Sequence, residues 1–193
     1  MMEYTVFGES HGPAVGVLIR DVPAGLPVDD ALIHADLLRR RASGALATGR
    51  HEPDEVEFLA GVYQGHTTGD ALVAVLRNRD VRSADYAALK DTPRPGHADY
   101  AAFVRSGGYN DYRGGGRFSG RLTAPLTVAG SLAKTFLQAL DITVRAEILD
   151  EEGLRQRAAE ARESGDSVGG QIRCTVTGVP AGLGGPDWRD TVE

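Results

Sequence analysis

One cysteine, two lysines and no long apolar run are the shortages that first narrow the reading of this 193-residue sequence. Cys174 stands alone, so no internal disulfide forms; a reducing compartment fits, and the alternating apolar run around it predicts a buried small hydrophobe. No stretch reaches the ~18 consecutive apolar residues of a membrane-spanning helix. The start, Met1-Met2-Glu3-Tyr4, lacks the basic-then-apolar pattern of a signal peptide. The expectation is a cytoplasmic protein with no membrane partner. No pair of histidines or carboxylates has metal-ligand spacing, so no metal site is expected.

What is present is acidic overall yet rich in one cation. A formal net charge of -6 argues against a nucleic-acid partner, because such binders gain affinity by neutralising phosphates. Of 21 Lys+Arg only Lys90 and Lys134 are lysine. The rest are arginine, whose planar fork grips carboxylate and phosphate in bidentate fashion. Codon bias explains such a composition as well, so position along the chain has to decide. A length of this order gives one domain, 1–193, as the default.

Tyr4-Thr5-Val6-Phe7 and Ala14 to Arg20 read as strands, the second running into the turn residues Pro23, Gly25 and Pro27. Asp29 caps a predicted helix that carries Leu32, Ile33, Leu37 and Leu38 to a basic end at Arg39-Arg40-Arg41. Val56 to Leu59 and Ala71 to Leu76 read as strands joined through the turn Gly65 to Gly69. From Arg77 to Gly116 no long apolar period survives, and loops of that length inside a domain are commonly functional or disordered. The clearest helix follows, with Leu126, Ala129, Ala133, Phe136, Leu137 and Leu140 on one face and Pro125 in its first turn. Ile142 to Ile148 alternates as a strand, Glu151 to Glu163 reads as a charged helix, and Val168 to Val176 as the last strand.

One repeat is visible. Val15-Gly16 leads through Ile19-Arg20 to Val22-Pro23-Ala24-Gly25-Leu26, and Val168-Gly169 leads through Ile172-Arg173 to Val179-Pro180-Ala181-Gly182-Leu183. The first copy continues into a helix and a sheet, whereas the second, beginning near residue 168, reaches Glu193 where that helix would start. An internal duplication cut short is the expectation, with a longer natural protein implied.

Three segments could carry chemistry. Gly8-Glu9-Ser10-His11-Gly12 matches the G-x-S-x-G elbow of hydrolases, but the elbow needs a helix directly after the serine, and here a strand follows. The same residues suit a tight turn that exposes an imidazole beside backbone N–H groups, able to protonate a departing anion; a structural histidine is the plainer reading. Arg94-Pro95-Gly96-His97-Ala98-Asp99 puts a second histidine after a Pro-Gly turn with a carboxylate two residues on, again suited either to proton donation or to structure. His34, His51 and His66 have no comparable setting. Asp111 to Thr123 brings three arginines and four glycines into the start of the best helix. Helix N-terminal N–H groups, a glycine backbone and guanidinium forks together make an anion site; a solvated loop is the alternative. It is not a P-loop, since the Gly-Lys-Ser/Thr ending is absent. For Arg39 to Arg41 the helix C-terminus is reason enough, at ~0.3–1 kcal/mol per cation.

In this order, Gly8 to Gly12, Arg39-Arg40-Arg41, Glu52-Pro53-Asp54, Gly61-Val62 with Thr67-Thr68-Gly69, Arg94 to Tyr100 and Asp111 to Thr123 resemble chorismate synthase over nearly the whole chain. The resemblance implies an α+β fold, a β-α-β sandwich built by internal duplication, assembled as a homotetramer. It implies a 1,4-anti elimination of phosphate from 5-enolpyruvylshikimate 3-phosphate with reduced FMN, NADPH serving as a candidate flavin reductant. His11 would protonate the departing phosphate, and His97 would lie near the flavin. Ser10, Arg40 and Arg121 would hold the anionic substrate; Arg117 with Ser119 would contact FMN.

The sequence departs from the family pattern in places. The common run Arg-Ser-Ser-Ala-Arg-Glu-Thr is here Arg117-Phe118-Ser119-Gly120-Arg121-Leu122-Thr123, so Phe118 occupies one FMN-contact position, and Leu126 stands where a later arginine is usual. Leu46 stands where the family often has an arginine about six residues after the one matching Arg40, and Arg50 is the candidate substitute, expected to bind substrate. The short lead before the first motif is trimmed. The second half of the family pattern, with further flavin and substrate contacts, is missing.

Overall fold

The structure, a computed structural model, describes residues 2–41, 50–81, 86 and 89–183. The chain divides into two compact units, Met1–Thr135 and Phe136–Glu193.

The first unit is built on an antiparallel sheet of β1 (Glu3–Gly8), β2 (Ala14–Arg20), β3 (Val56–Ala60) and β6 (Leu72–Arg77), in the order β1-β2-β6-β3. Strand periodicity decides its core. Val15, Val17 and Ile19 alternate to one face of β2 and register against Leu76, Ala74 and Leu72 of β6, and all six are shut off from solvent. Across-strand apolar pairs of this kind are the stabilising unit of a sheet. On the opposite face the ring of Phe7 lies over its partner Gly16, where a Cβ would stand 2.4 Å from Cζ. Between β3 and β6 in sequence, β4 (Val62–Tyr63) and β5 (His66–Thr67) form a hairpin whose two turn residues, Gln64 and Gly65, have φ of 46° and 74°. Positive φ at both positions is what a two-residue hairpin turn of matching twist demands. Thr67, buried, ties this hairpin to the turn after β2: its Oγ1 donates to Pro23 O at 2.5 Å and accepts from Leu26 N at 3.0 Å.

Helix α1 (Asp30–Arg40) starts where its cap predicts, with Asp29 Oδ1 accepting from Leu32 N at 2.9 Å, and buries Ile33 and Leu37. It runs antiparallel to α3 (Thr123–Gln138): Asp36 receives Ser131 Oγ at 2.9 Å and Lys134 Nζ at 2.7 Å, while Arg40 Nη1 donates to Thr123 Oγ1 at 3.4 Å. The basic end of α1 is thereby brought to the N-terminus of α3. The stretch read as loop contains α2 (Asp99–Ser106), a helix of two turns closed by Gly107 at φ 63°. It is too short, and too exposed at Tyr100, Phe103 and Val104, to show an apolar period.

The buried face of α3 also differs from expectation. Ala124, Pro125, Val128, Ala129, Ser131 and Leu132 turn inward; Leu126 is 42% exposed, and Leu140 lies beyond the helix. The helix is apolar around most of its circumference, so periodicity alone offers two stripes and tertiary packing selects one.

In the second unit β7 (Thr143–Leu149) pairs with β8 (Gln171–Thr177), and α4 (Glu151–Glu163) lies between them in sequence. Every residue of β8 is exposed, Cys174 included, which corrects the expectation of a buried thiol: a two-stranded sheet has no covered face to offer. The duplication is visible as conformation. After β2 the backbone bends at Asp21 (φ 57°) and Gly25 (φ 81°); after β8 it bends at Gly178 (φ 81°) and Gly182 (φ 88°). Matching turn to turn equates Ala14–Arg20 with Gln171–Thr177, so Ile172-Arg173 stands four residues earlier than the sequence match implied. An even shift keeps the strand alternation in phase. No helix among the described residues is long and apolar enough to cross a membrane.

The α3 stripe is testable by urea unfolding of this chain. Leu132→Ala is expected to cost about 2–5 kcal/mol and Leu126→Ala less than about 0.5 kcal/mol; equal losses would refute the assigned face.

Candidate functional site

Asp54 organises the site. It follows Pro53 in a left-handed conformation (φ 54°) that short polar side chains tolerate, and the residue is 3% exposed. Three arginines converge on it. Arg40 Nη2 donates to Oδ2 at 3.1 Å, Arg41 Nε to the same oxygen at 3.3 Å, and Arg121 Nη1 to Oδ1. Arg40 and Arg41 come from the end of α1, Arg121 from the turn that enters α3. The antiparallel helix pair is therefore what assembles the cluster. Arg41 also donates to Pro53 O through Nη2.

A second buried carboxylate, Glu52, aligns Arg50, which reaches Oε1 from Nη2 at 2.7 Å and Nε at 3.0 Å. Glu52 Oε2 accepts from Arg79 N at 2.8 Å. Held this way, Arg50 donates to Ser10 Oγ at 2.6 Å and Ser10 O at 2.8 Å. Ser10 sits in a turn before β2, with no helix after it, and its hydroxyl oxygen is engaged by a cation. That geometry is not a hydrolase elbow.

Arg40, Arg41, Arg50, His51, Glu52, Asp54, Ser119, Gly120 and Arg121 line an open cleft of about 410 Å³. Four guanidinium groups face two carboxylates there, an excess of positive charge fitted to an anion carrying more than one charge. Three buried nitrogens among the described residues have no hydrogen-bond partner: His11 Nδ1, Arg40 Nε and Arg121 Nη2. A buried N–H without a partner costs about 1–3 kcal/mol and more when charged, so the guanidinium nitrogens of Arg40 and Arg121 are open to acceptors from a ligand, whereas His11 Nδ1 donates or accepts according to its tautomer.

The two sequence-predicted histidines flank one glycine turn. Gly114, Gly115 and Gly116 all have positive φ (58°, 80° and 52°). A Cβ on Gly114 would stand 2.3 Å from His11 Nδ1, and one on Gly115 would stand 2.7 Å from His97 Cε1. Gly116 O accepts from Ser10 N at 3.1 Å. Only a backbone without side chains fits between the imidazoles. His97 Nδ1 lies 2.7 Å from Asp99 Oδ1, and Asp99 in turn takes Arg94 Nε at 2.8 Å and Nη2 at 3.0 Å. That Arg94 fork holds the Asp99 carboxyl well below the usual carboxylate range. Tyr86 packs on His11 with ring centroids 4.8 Å apart, and Arg94 lies 6.0 Å over the same ring.

Of the residues singled out from sequence, Ser10 and Arg50 are bonded to each other, Arg40 and Arg121 meet on Asp54, His11 follows Ser10 in its turn, His97 stands across the glycine turn, and Ser119 reaches the cleft wall. Ser119 Oγ caps the turn by accepting from Arg121 N at 3.2 Å. Arg117 and Phe118 are exposed and do not line the cleft. Leu46 lies outside the described residues. His51, given no role from sequence, lines the cleft, and its backbone N–H donates to Asp80 Oδ2 at 2.8 Å. Glu52 and Asp54 belong to the Glu52-Pro53-Asp54 motif, which marks them without assigning either a task; Asn78 and Tyr86 lie in none of the motifs.

The chorismate synthase family model matches residues 2–153. A chorismate synthase of Thermococcus kodakarensis is 41% identical over all of this chain and 61% of its own length. A chorismate synthase of Chitinophaga pinensis is 44% identical over all of this chain and 58% of its own length. A solved structure titled as a chorismate synthase superposes with a TM-score of 0.73 at 22% identity, covering 98% of this chain and 61% of that one. The chain thus spans about 60% of the length of these relatives.

The Asp54 hub has a pH signature. Burial alone would raise its carboxyl; hydrogen bonds and charge from Arg121 and then Arg40 outweigh burial and hold it below its ordinary 3.8. The unfolded chain takes up that proton at higher pH than the folded one. The hub's contribution is therefore present above pH ~4 and lost as pH falls through the lower folded value. Asp54→Asn is expected to cost about 3–5 kcal/mol at pH 7, with the gap to the unmodified chain narrowing toward pH ~3. Urea unfolding across that range checks both, and a gap independent of pH would refute the assignment.

Proposed function

Because the family model and the relatives place this chain in the chorismate synthase family, we propose that it carries the anion-gripping and proton-donating part of a lyase. The reaction is the 1,4-anti elimination that converts 5-enolpyruvylshikimate 3-phosphate to chorismate and phosphate. The observation that supports this most is the pair of partnerless buried nitrogens on Arg40 and Arg121, both of which line a cleft with excess positive charge. A substrate with one phosphate and two carboxylates supplies the acceptors those atoms lack.

Each residue then has a task. Arg121 and Arg40, aimed by Asp54, hold the substrate's anionic groups as preformed forks with little reorganisation on binding. Arg50 and Ser10 form a linked donor pair on the same side. His11 presents a ring nitrogen to the departing phosphate, whose negative charge grows as the C–O bond breaks, and a proton given at that moment lowers the barrier. Reduced FMN, when bound, would supply the electron density that helps the C–O bond break. His97, oriented through Nδ1 by Asp99, keeps Nε2 toward the Gly115 turn, beside which the flavin would lie. Arg117, Phe118 and Ser119 are the candidates to contact FMN, offering a guanidinium, an exposed ring and a hydroxyl in one stretch. The family resemblance supports a cytoplasmic homotetramer, with NADPH or a separate reductase reducing the flavin.

The chain's span of about 60% of its relatives favours a second reading, an anion-binding module that lacks part of the active site. Anaerobic assay with reduced FMN and 5-enolpyruvylshikimate 3-phosphate separates the two. It is run on this chain and on the chain with any coding sequence that continues past Glu193. Chorismate formed by the shorter protein supports the first reading; tight phosphate binding without turnover supports the second. In whichever form is active, His11→Ala is expected to lower kcat by about 10²–10⁴ with substrate affinity changed only a few-fold. Unchanged turnover would remove His11 from proton transfer.

A further inference from the structure

Asn78 follows β6 directly, and the register that pairs Arg77 with Ala14 sets Asn78 opposite Pro13, whose carbonyl accepts from Asn78 N at 3.1 Å. The backbone of the sheet thus delivers this side chain to the turn that carries Ser10 and His11. There it makes three further bonds. Nδ2 donates to Glu9 O at 3.0 Å and Gly12 O at 2.8 Å, so one amide clasps both ends of the turn. Oδ1 accepts from Arg121 Nε at 3.1 Å. With this amide orientation every contact pairs a donor with an acceptor; the flipped amide would set a donor against Arg121 Nε and an acceptor against two carbonyls.

The consequence for Arg121 is directional. Its Nε is taken by Asn78 and its Nη1 by Asp54, which leaves Nη2, buried and without a partner, as the donor with no protein acceptor. The consequence for His11 is positional, since the turn is fixed from both sides by one planar group. We propose that Asn78 is a positioning residue that couples the two halves of the chemistry, aiming the free Arg121 N–H at the bound anion and fixing the His11 turn at the same distance from it. This deepens the lyase reading above and rests on it. A side chain that bonds a proton-donor turn and an anion grip together keeps their separation constant, and such near-attack geometry is lost with shifts of about 1 Å.

The test is a pair of double-mutant cycles in the active form of the protein. Asn78→Ala is expected to lower kcat about tenfold or more with His11 present and less than about twofold in the residual activity of His11→Ala. Inorganic phosphate binding, measured by calorimetry without flavin or turnover, is expected to weaken several-fold on Asn78→Ala and not to weaken further in Arg121→Ala. Asn78→Asp is the second variant, isosteric and able to keep the Arg121 contact while losing both carbonyl contacts. It is expected to show the same dependence of kcat on His11, and it carries the test if Asn78→Ala does not fold. Equal losses of kcat with and without His11, or kinetic and binding constants within about twofold of the unmodified protein, would overturn the proposal. If no form of the protein makes chorismate, the lyase reading fails separately, and the phosphate cycle still decides whether Asn78 aims Arg121.

Discussion

A single buried carboxylate, Asp54, is the point on which the site depends. Three guanidinium groups from two helix ends meet on it, and without that counter-charge they would repel one another in a half-buried cleft. The same carboxylate leaves one nitrogen of Arg40 and one of Arg121 buried and unpaired. Four positive groups against two negative ones is a deliberate imbalance: enough anion to hold the arginines together, too little to satisfy them. An anionic ligand, as proposed above, would complete the count. Glu52 repeats the device on a smaller scale, aligning Arg50 so that it reaches Ser10.

Backbone geometry supplies what charge cannot. Between His11 and His97 there is room for a main chain and nothing else, and Gly114 and Gly115 provide it with their φ in the left-handed region. An alanine at either place would be strained by its backbone and would also strike an imidazole. The chain returns from that turn directly into Arg121 and α3, so the separation of the histidines, the entry of α3 and the aim of Arg121 are set by one run of residues. The link from local conformation to chemistry is short.

Much of this was legible in the sequence because it rests on local rules. The Asp29 cap, the alternation in β2 and the Pro-Ala-Gly turns are short-range signals, and each corresponds to an observed element. Collinear motifs also marked both histidines, Arg40 and Arg121. What stayed hidden was long-range or degenerate. Asn78 acts through partners 43 and 66–69 residues away, and nothing near it in sequence marks that. The stripe of α3 could not be chosen because two faces are apolar. An alternating run implies a covered face and so a buried Cys174, but in the β7–β8 pair none of the β8 residues is covered. The Ile-Arg that recurs in both strands sets a repeat register four residues away from the one marked by the pair of positive-φ bends that follows each strand.

The arginine bias also finds a physical explanation at these positions. A lysine at 121 could neutralise Asp54, but the three N–H bonds of an ammonium radiate from one rotating nitrogen and cannot serve Asp54, Asn78 and a ligand from three nitrogens held in one rigid plane. At position 40 the same holds for Thr123, Asp54 and the unpaired Nε. Replacing such a buried ionic cluster by apolar side chains of similar volume is often neutral or stabilising for a fold. Its presence is therefore poorly explained by stability and well explained by direction. The cluster holds donors at defined angles before any ligand arrives, and codon bias alone would have no reason to put arginine where forks, rather than charges, are used.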